Sequence, residues 1–241
     1  MKKKQRSIKP LLQKTFFFIF LLLPIAGFIF IFKSNLFTIK QIDCQRDNFP
    51  CRQEIMVFLQ DLRGKNIFLA DTKLVEKKII DYFVEIEDVK IEKRLLNKLI
   101  VRIVSRQPFA ALTQQEKVWF LVDREFFVYK KVFEKPKELP IVVSLKKNFF
   151  LGKEVDDESL KQTLELVSEL QKNYLSFKKI KLLQKDNLQI FLNEPIVASF
   201  SARKSINKQV DSLQFILRQS KIEGKLPVFI DLRFKKPLVK F

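Results

Sequence analysis

An uncharged apolar run close to the N-terminus constrains this chain more than any other feature. Thr15–Phe32 contains 18 residues without a charge, and at about 1.5 Å per residue a helix of this length spans roughly 27 Å, close to the hydrocarbon thickness of a bilayer. The apolar region of a signal peptide is about 7–15 residues long and ends at small residues, whereas this run ends in "FIFIFKSNLF". We therefore predict an uncleaved, lipid-facing transmembrane helix at 15–32, with a cleaved signal peptide as the alternative. Its residues include Phe16, Phe20, Pro24, Phe28 and Phe32.

The charges that flank the run predict its orientation. Residues 1–14 carry six Lys and Arg and no acid, and such a basic flank stays on the cytoplasmic side of a membrane. We therefore expect a cytoplasmic basic tail at 1–14, a single span, and about 200 residues outside the cell membrane.

The composition bears on function mainly through its charge and its lack of histidine. A net charge of +19 favours contact with anionic lipid or anionic wall polymer, but a solvated, lysine-rich surface is the preferred explanation of it. No nucleic-acid-binding motif accompanies the charge, so we expect no nucleic-acid partner. The chain contains no His, which removes the commonest general base and the commonest zinc ligand. We expect no enzyme activity, no metal, no cofactor and no small-molecule substrate.

Two cysteines follow the predicted span. Cys44 and Cys51 bracket the segment "DCQRDNFPC", which is rich in turn-forming residues. An external location permits oxidation, so a Cys44–Cys51 disulfide is one interpretation and two free buried thiols are the other.

The external part divides into two predicted units of an α+β protein. The first, at 36–106, has the order β-α-α-β-β: "LFTIKQID" as a strand, helices around Ile55–Leu62 and Val75–Phe83, and two strands of which the second, "NKLIVRIVSRQ", is apolar on both faces and therefore central. Asp71 is expected to cap the second helix. The second unit, at 107–241, alternates strands with two helices, at "VDDESLKQTLELVSELQKN" and "ARKSINKQVDSLQFILRQS", and has "LPVFIDLRF" as its final strand.

These elements together resemble a known bacterial family. A short basic N-terminus and one span, followed in order by "LFTIKQID", "GKNIFLADTKLVEKKI", "VEIEDVKIEKRLLNKLIVRIVSRQPFAAL", "WFLVDREFFVY" and "LPVFIDLRF", look like the cell division protein family FtsQ, called DivIB in Gram-positive bacteria. The resemblance implies a POTRA domain at 36–106 and a β-domain at 107–241. It also implies a non-enzymatic scaffold at the division septum that binds FtsB- and FtsL-like proteins and connects them to the septal peptidoglycan synthase complex.

The C-terminal strand is the expected partner-binding site. In "PVFIDLRFKK" the apolar residues Val228, Ile230, Leu232 and Phe234 alternate with a charged outer face. At a sheet edge, such a strand offers unpaired backbone groups to a partner strand, and the resemblance places a strand of FtsB in this region. The alternative is a covered core strand. The predicted partner-binding residues are Phe229, Asp231, Arg233, Phe234 and Lys235.

Three other functions are consistent with parts of the sequence. A POTRA-type transport or assembly protein would be expected to carry several POTRA units or a membrane barrel. A wall hydrolase or synthase subunit would need a catalytic constellation that we do not find. An anchored basic protein that binds anionic wall polymer would need only the charge.

Overall fold

The computed structural model describes residues 30, 32–94, 97–144, 148–184 and 186–241. The chain is an α+β protein that separates into two compact units, which meet between Ser105 and Arg106. The predicted boundary lay one residue further along the chain.

The first unit is built on a four-stranded sheet with the order β2-β1-β4-β3. A 3₁₀ turn at Asn35–Phe37 precedes the elements β1 (Gln41–Arg46), β2 (Phe49–Pro50), α1 (Gln53–Gln60), α2 (Thr72–Tyr82), β3 (Ile86–Arg94) and β4 (Lys98–Ser105). β4 pairs in parallel with β1 and antiparallel with β3. The predicted β-α-α-β-β order and the central position of its last strand are therefore confirmed, and the two-residue β2 is an addition.

The core of this unit follows the predicted periodicity. Ile55 and Leu59 of α1 and Val75 and Ile79 of α2 are buried. They lie in one cluster with the alternating residues Leu99, Val101 and Ile103 of β4. The Asp71 carboxylate accepts a hydrogen bond from Leu74 N–H at 3.1 Å, so the predicted cap of α2 is present.

Two predictions in this unit are wrong in detail. The first strand begins at Gln41, not Leu36, because Ser34 caps a 3₁₀ turn at 35–37 and the N–H of Ile39 donates to Lys65 C=O instead of joining the ladder. Tyr82, predicted on the buried face of α2, is 69% exposed. It is the last residue of the helix, and its ring lies 5.0 Å from both Phe58 and Phe83 at the surface.

The second unit contains a ten-stranded mixed sheet and two helices. Its elements are β5 (Ala110–Thr113), β6 (Trp119–Val122), β7 (Phe127–Val132), β8 (Ile141–Ser144), β9 (Lys153–Glu154), α3 (Glu158–Lys172), β10 (Phe177–Gln184), β11 (Asn187–Leu192), β12 (Val197–Ser201), α4 (Ile206–Ile222), β13 (Phe229–Asp231) and β14 (Leu238–Lys240). The sheet order is β14-β13-β12-β11-β10-β8-β5-β6-β7-β9.

The core of the second unit lies between this sheet and the helices. α3 contacts β8 and β10, α4 contacts β12, and the two helices contact each other. The predicted stripe of α3, Leu160, Leu164 and Val167, is buried in this core. Both helices were expected. β5, β9 and β14 were not, since β5 is buried on both faces and the other two are only two or three residues long.

The predicted membrane span falls mostly outside the described residues. Phe16, Phe20, Pro24 and Phe28 lie outside them, and Phe32 is helical together with Phe30 and Lys33. Within the part of the chain that the structure describes, no helix has both the length and the apolar character needed to cross a bilayer.

Candidate protein-interaction site

The strand that ends the ten-stranded sheet is β14, not β13. β13 pairs in parallel with β12 through Val197↔Phe229 and antiparallel with β14 through Ile230↔Val239. The expectation that the strand around Phe229–Asp231 lies at the sheet edge is therefore wrong, because the chain turns back after Lys236 and adds three more residues. The assignment of partner binding to Phe229, Asp231, Arg233, Phe234 and Lys235 stays a prediction. The edge position on which that assignment was based belongs to β14 and not to β13.

Asp231 and Arg233 contact each other and do not form an exposed charged face. Asp231 is buried, and Arg233 donates to its carboxylate from Nε at 2.8 Å and from Nη2 at 2.5 Å. These hydrogen bonds from Arg233 are the main reason why the pKa of Asp231 is lowered below its ordinary value of 3.8. The pair stabilises the bend that follows β13, since Arg233 N–H also donates to Asp231 Oδ1.

The side chains on either side of this pair also depart from the predicted alternation. Ile230 and Leu232 are buried as expected, whereas Val228 and Phe234, predicted on the same face, are exposed. Phe229 is half-buried and Lys235 is exposed. The regular strand ends at Asp231, so a period of two does not continue through Phe234.

β14 directs part of its backbone away from the sheet. Val228 C=O accepts from Val197 N–H, and Leu232 N–H donates to Ser199 C=O, so the backbone of Ile230, between them, faces β12. Val239 lies opposite Ile230 in the β13–β14 register. In an antiparallel pair, two opposite residues that do not exchange hydrogen bonds direct their backbone N–H and C=O groups away from each other. The N–H and C=O of Val239 therefore face the open side of β14, where no further strand is described.

The surface around β14 is apolar and basic, and we call residues 225–241 the C-terminal edge. Its exposed apolar side chains are Leu226, Val228, Phe234, Leu238, Val239 and Phe241. Its basic residues are Lys225, Arg233, Lys235, Lys236 and Lys240, and its single acid, Asp231, is already paired with Arg233. The edge therefore presents apolar contact area within a positive field, which suits an extended segment with apolar and acidic side chains.

The remaining sheet edges are shorter or covered. At the other end of the large sheet, β9 has two residues, Lys153 and Glu154. In the small sheet, β2 also has two residues, and the Cys44–Cys51 disulfide, with Cα atoms 5.4 Å apart, holds the chain after β2 to β1. β3 has nine residues, but the N–H of Ile91 donates to Glu76 Oε1 at 2.7 Å and Lys93 Nζ donates to Ala70 C=O at 2.8 Å.

No metal centre is found where the structure describes the chain, since no three His, Cys, Asp or Glu side chains there lie together in a group that would hold an ion.

The fold defines a class of protein. A β-α-α-β-β module with a parallel β1–β4 pair precedes a larger mixed sheet, which makes the chain an α+β protein with a POTRA-like first unit. The comparison with known families specifies the type. A family model described as "POTRA domain, FtsQ-type" matches residues 37–106. The chain therefore carries an FtsQ-type POTRA domain, as the sequence predicted, consistent with the FtsQ/DivIB family. No curated protein gives a significant match.

Proposed function

We propose that this protein is a non-enzymatic, single-pass membrane scaffold of the bacterial division machinery. It sits in the cell membrane at the septum, with its N-terminus in the cytoplasm and both folded units outside. It binds FtsB- and FtsL-like proteins and connects them to the septal peptidoglycan synthase complex. Support for this proposal comes from the FtsQ-type POTRA domain at 37–106 and from the order of sequence motifs around it.

One observation carries the mechanism, which is strand addition at β14. The outward N–H and C=O of Val239, opposite Ile230 in the ladder, provide the hydrogen-bonding pair that a partner strand needs. The exposed Leu238 and Phe241 supply apolar contacts beside it. The lysines of the C-terminal edge favour a partner strand that carries acidic residues, because rim charges of opposite sign raise the association rate and select the partner.

The experiment compares two substitutions at one position. Val239→Pro removes the outward N–H while the ladder to β13, which uses Leu238 and Lys240, keeps its donors. Val239→Ala shortens the side chain and keeps the N–H. Full-length protein in detergent is used to capture FtsB- and FtsL-like proteins from the same organism. A net backbone hydrogen bond contributes about 0.5–1.5 kcal/mol, so we expect Val239→Pro to weaken capture by up to about tenfold and Val239→Ala to weaken it much less.

The outcomes separate the function from the site. If the wild type captures neither protein, the scaffold proposal fails. If the wild type captures them and both variants do so equally well, the function stands and the β14 edge is the wrong site. Exchange of Phe229 and Arg233 for Ala would not isolate the site, because removal of Arg233 leaves the buried Asp231 without its guanidinium partner.

A second candidate function rests on a basic cleft in the second unit. An open cavity of about 1260 Å³ is lined by Arg124, Lys135, Lys137 and Lys178, with Glu138 as its one acid. This lining suits an anionic wall polymer. Salt-sensitive binding of teichoic-type polymer that is lost in Lys135→Glu/Lys137→Glu, together with no capture of division proteins, would favour this function over the scaffold.

A further inference from the structure

The first unit carries an exposed apolar surface that the scaffold proposal does not use. Leu36, Phe68 and Leu69 are 56%, 49% and 65% exposed. The half-buried Phe37 lies beside Phe68, with its ring centroid 5.3 Å from that of Phe68. We call these four residues the apolar tip. They belong to two segments that lie side by side, since Ile67 N–H donates to Phe37 C=O at 2.8 Å and Thr38 forms a β-bridge with Asn66.

The apolar tip is held in place by the side chain and backbone of Asn66. Its Oδ1 accepts from Phe68 N–H at 2.9 Å, and its C=O accepts from Leu69 and Ala70 N–H at 3.1 and 2.9 Å. Phe68 and Leu69 are therefore presented outward by a hydrogen-bonded turn. Contiguous exposed apolar side chains of this kind can mark a surface that contacts a membrane or another protein.

The same asparagine ties the tip to the end of the apolar N-terminal run. Asn66 Nδ2 donates to the C=O of Phe32 at 3.3 Å, and Phe32 is the last residue of the uncharged run that begins at Thr15. One hydrogen bond thus separates the turn from the residue at which the predicted span leaves the bilayer. Phe68 and Leu69 follow within three residues, so they lie at the depth of the membrane surface if Phe32 lies there.

The charges around the tip match an anionic surface. The exposed residues Lys33, Lys40, Arg63, Lys65 and Lys73 lie on the two segments that carry the tip and on their continuations. The acids on these segments are the exposed Asp61 and Asp71, and the carboxylate of Asp71 accepts the capping hydrogen bond from Leu74 N–H. An apolar centre with a basic rim is the pattern of surfaces that enter the headgroup region of anionic bilayers.

We propose that the apolar tip inserts into the outer leaflet, with Phe68 and Leu69 at the boundary between headgroups and acyl chains and the basic rim on anionic headgroups. This contact holds the POTRA unit against the membrane beside the span. The inference rests on the proposed single-pass topology and is independent of strand addition at β14.

The test places a fluorescent reporter at the tip and another at a matched site in the same unit. Full-length Phe68→Trp and Tyr82→Trp are reconstituted in nanodiscs of phosphatidylcholine and phosphatidylglycerol with brominated acyl chains. Tyr82 is also an exposed aromatic, but it lies at the far end of α2, about 15 Å along the helix from the turn. The native Trp119 is buried in the second unit, so the wild type supplies the background. We expect the emission of Trp at 68 to shift to the blue and to lose intensity in brominated discs, and that of Trp at 82 to do neither.

Each outcome decides the matter. Emission at position 68 that stays red and unquenched, like that at position 82, overturns the inference, as does protection of position 68 that requires an added protein partner. Failure of the full-length chain to integrate into the discs overturns it together with the topology. Partner capture is measured on the same discs. Quenching without capture contradicts the scaffold proposal alone, and capture without quenching contradicts this inference alone. Discs made only of phosphatidylcholine should give weaker quenching, because the rim then lacks anionic headgroups.

Discussion

The edge strands β3 and β14 differ in how far their outward backbone groups are covered, and the longer strand is the more covered one. β3 has nine residues and β14 has three, and a long edge strand is ordinarily the better template for an incoming chain. Yet the Ile91 amide of β3 is occupied by the Glu76 carboxylate from α2, and Lys93 reaches over to Ala70. β14 has three exposed residues and an outward-facing Val239 backbone. The comparison shows that the shorter edge strand leaves backbone groups open while the longer one is partly covered, so the proposed strand addition at β14 depends on cover more than on length.

The largest expected effect concerns the support of the open edge. Arg233→Ala leaves the carboxylate of Asp231, whose side chain is only 6% exposed, without its bidentate partner. Orphaning one member of a buried ion pair costs about 3–5 kcal/mol. Because the Arg233 side chain is itself 38% exposed, we expect the lower end of that range, about 3 kcal/mol, in the free energy of unfolding measured by urea denaturation.

The control for this substitution is Lys235→Ala, two residues away and fully at the surface, which should change the unfolding free energy by less than about 0.5 kcal/mol. Asp231→Asn/Arg233→Ala should recover part of the loss, since the double variant buries no unpaired charge. If Arg233→Ala and Lys235→Ala are equally mild, the pair does not stabilise the bend next to β14.

The same pair predicts how the support of the open edge depends on pH. The hydrogen bonds from Arg233 lower the pKa of Asp231 below 3.8 in the folded state, so the folded protein binds this proton less readily than the unfolded chain does. The stabilisation by the pair is therefore fully present above about pH 5 and is lost as the pH falls through the lowered pKa. We expect the difference in unfolding free energy between the wild type and Asp231→Asn to be constant from about pH 5 to 8 and to shrink in more acidic urea titrations. A difference that grows on acidification would contradict the assigned direction.

The POTRA unit was accessible to sequence reasoning because its patterns are local. Val75 and Ile79 repeat with a helical period, and Leu99, Val101 and Ile103 with a strand period, so each segment carries its own signal. The chain between β1 and β4 contains α1, α2 and β3, which is long enough for the crossover that a parallel pair requires.

The position of β14 at the edge of the sheet could not be predicted from the sequence, because it depends on which strands pair with each other. Leu238–Lys240 is a short, exposed segment after Pro237, and only its hydrogen bonds to β13 make it a strand. The alternation through Asp231 and Arg233 predicted two outward charges, but β13 ends at Asp231 and the chain bends there, so the two side chains meet. The exposed Phe68–Leu69 turn was not predicted from the sequence, and its relation to Phe32 depends on the Asn66 hydrogen bond, which no sequence pattern shows.

The smallest expected effect on stability is also the sharpest test of the comparison, because it opens the covered edge. Glu76→Ala removes the acceptor of the Ile91 N–H and should cost about 1 kcal/mol of unfolding free energy. Its larger consequence should be on association: the freed edge of β3 becomes a template, and the variant should self-associate with concentration in analytical ultracentrifugation of the full-length protein in detergent. Asp81→Ala removes an exposed acid from the same helix α2 without touching the edge and should behave as the wild type. If Glu76→Ala loses stability but keeps the wild-type oligomeric state, the carboxylate is a structural partner only. The difference between the two edges must then come from the length of chain packed beside β3 and not from the occupied amide.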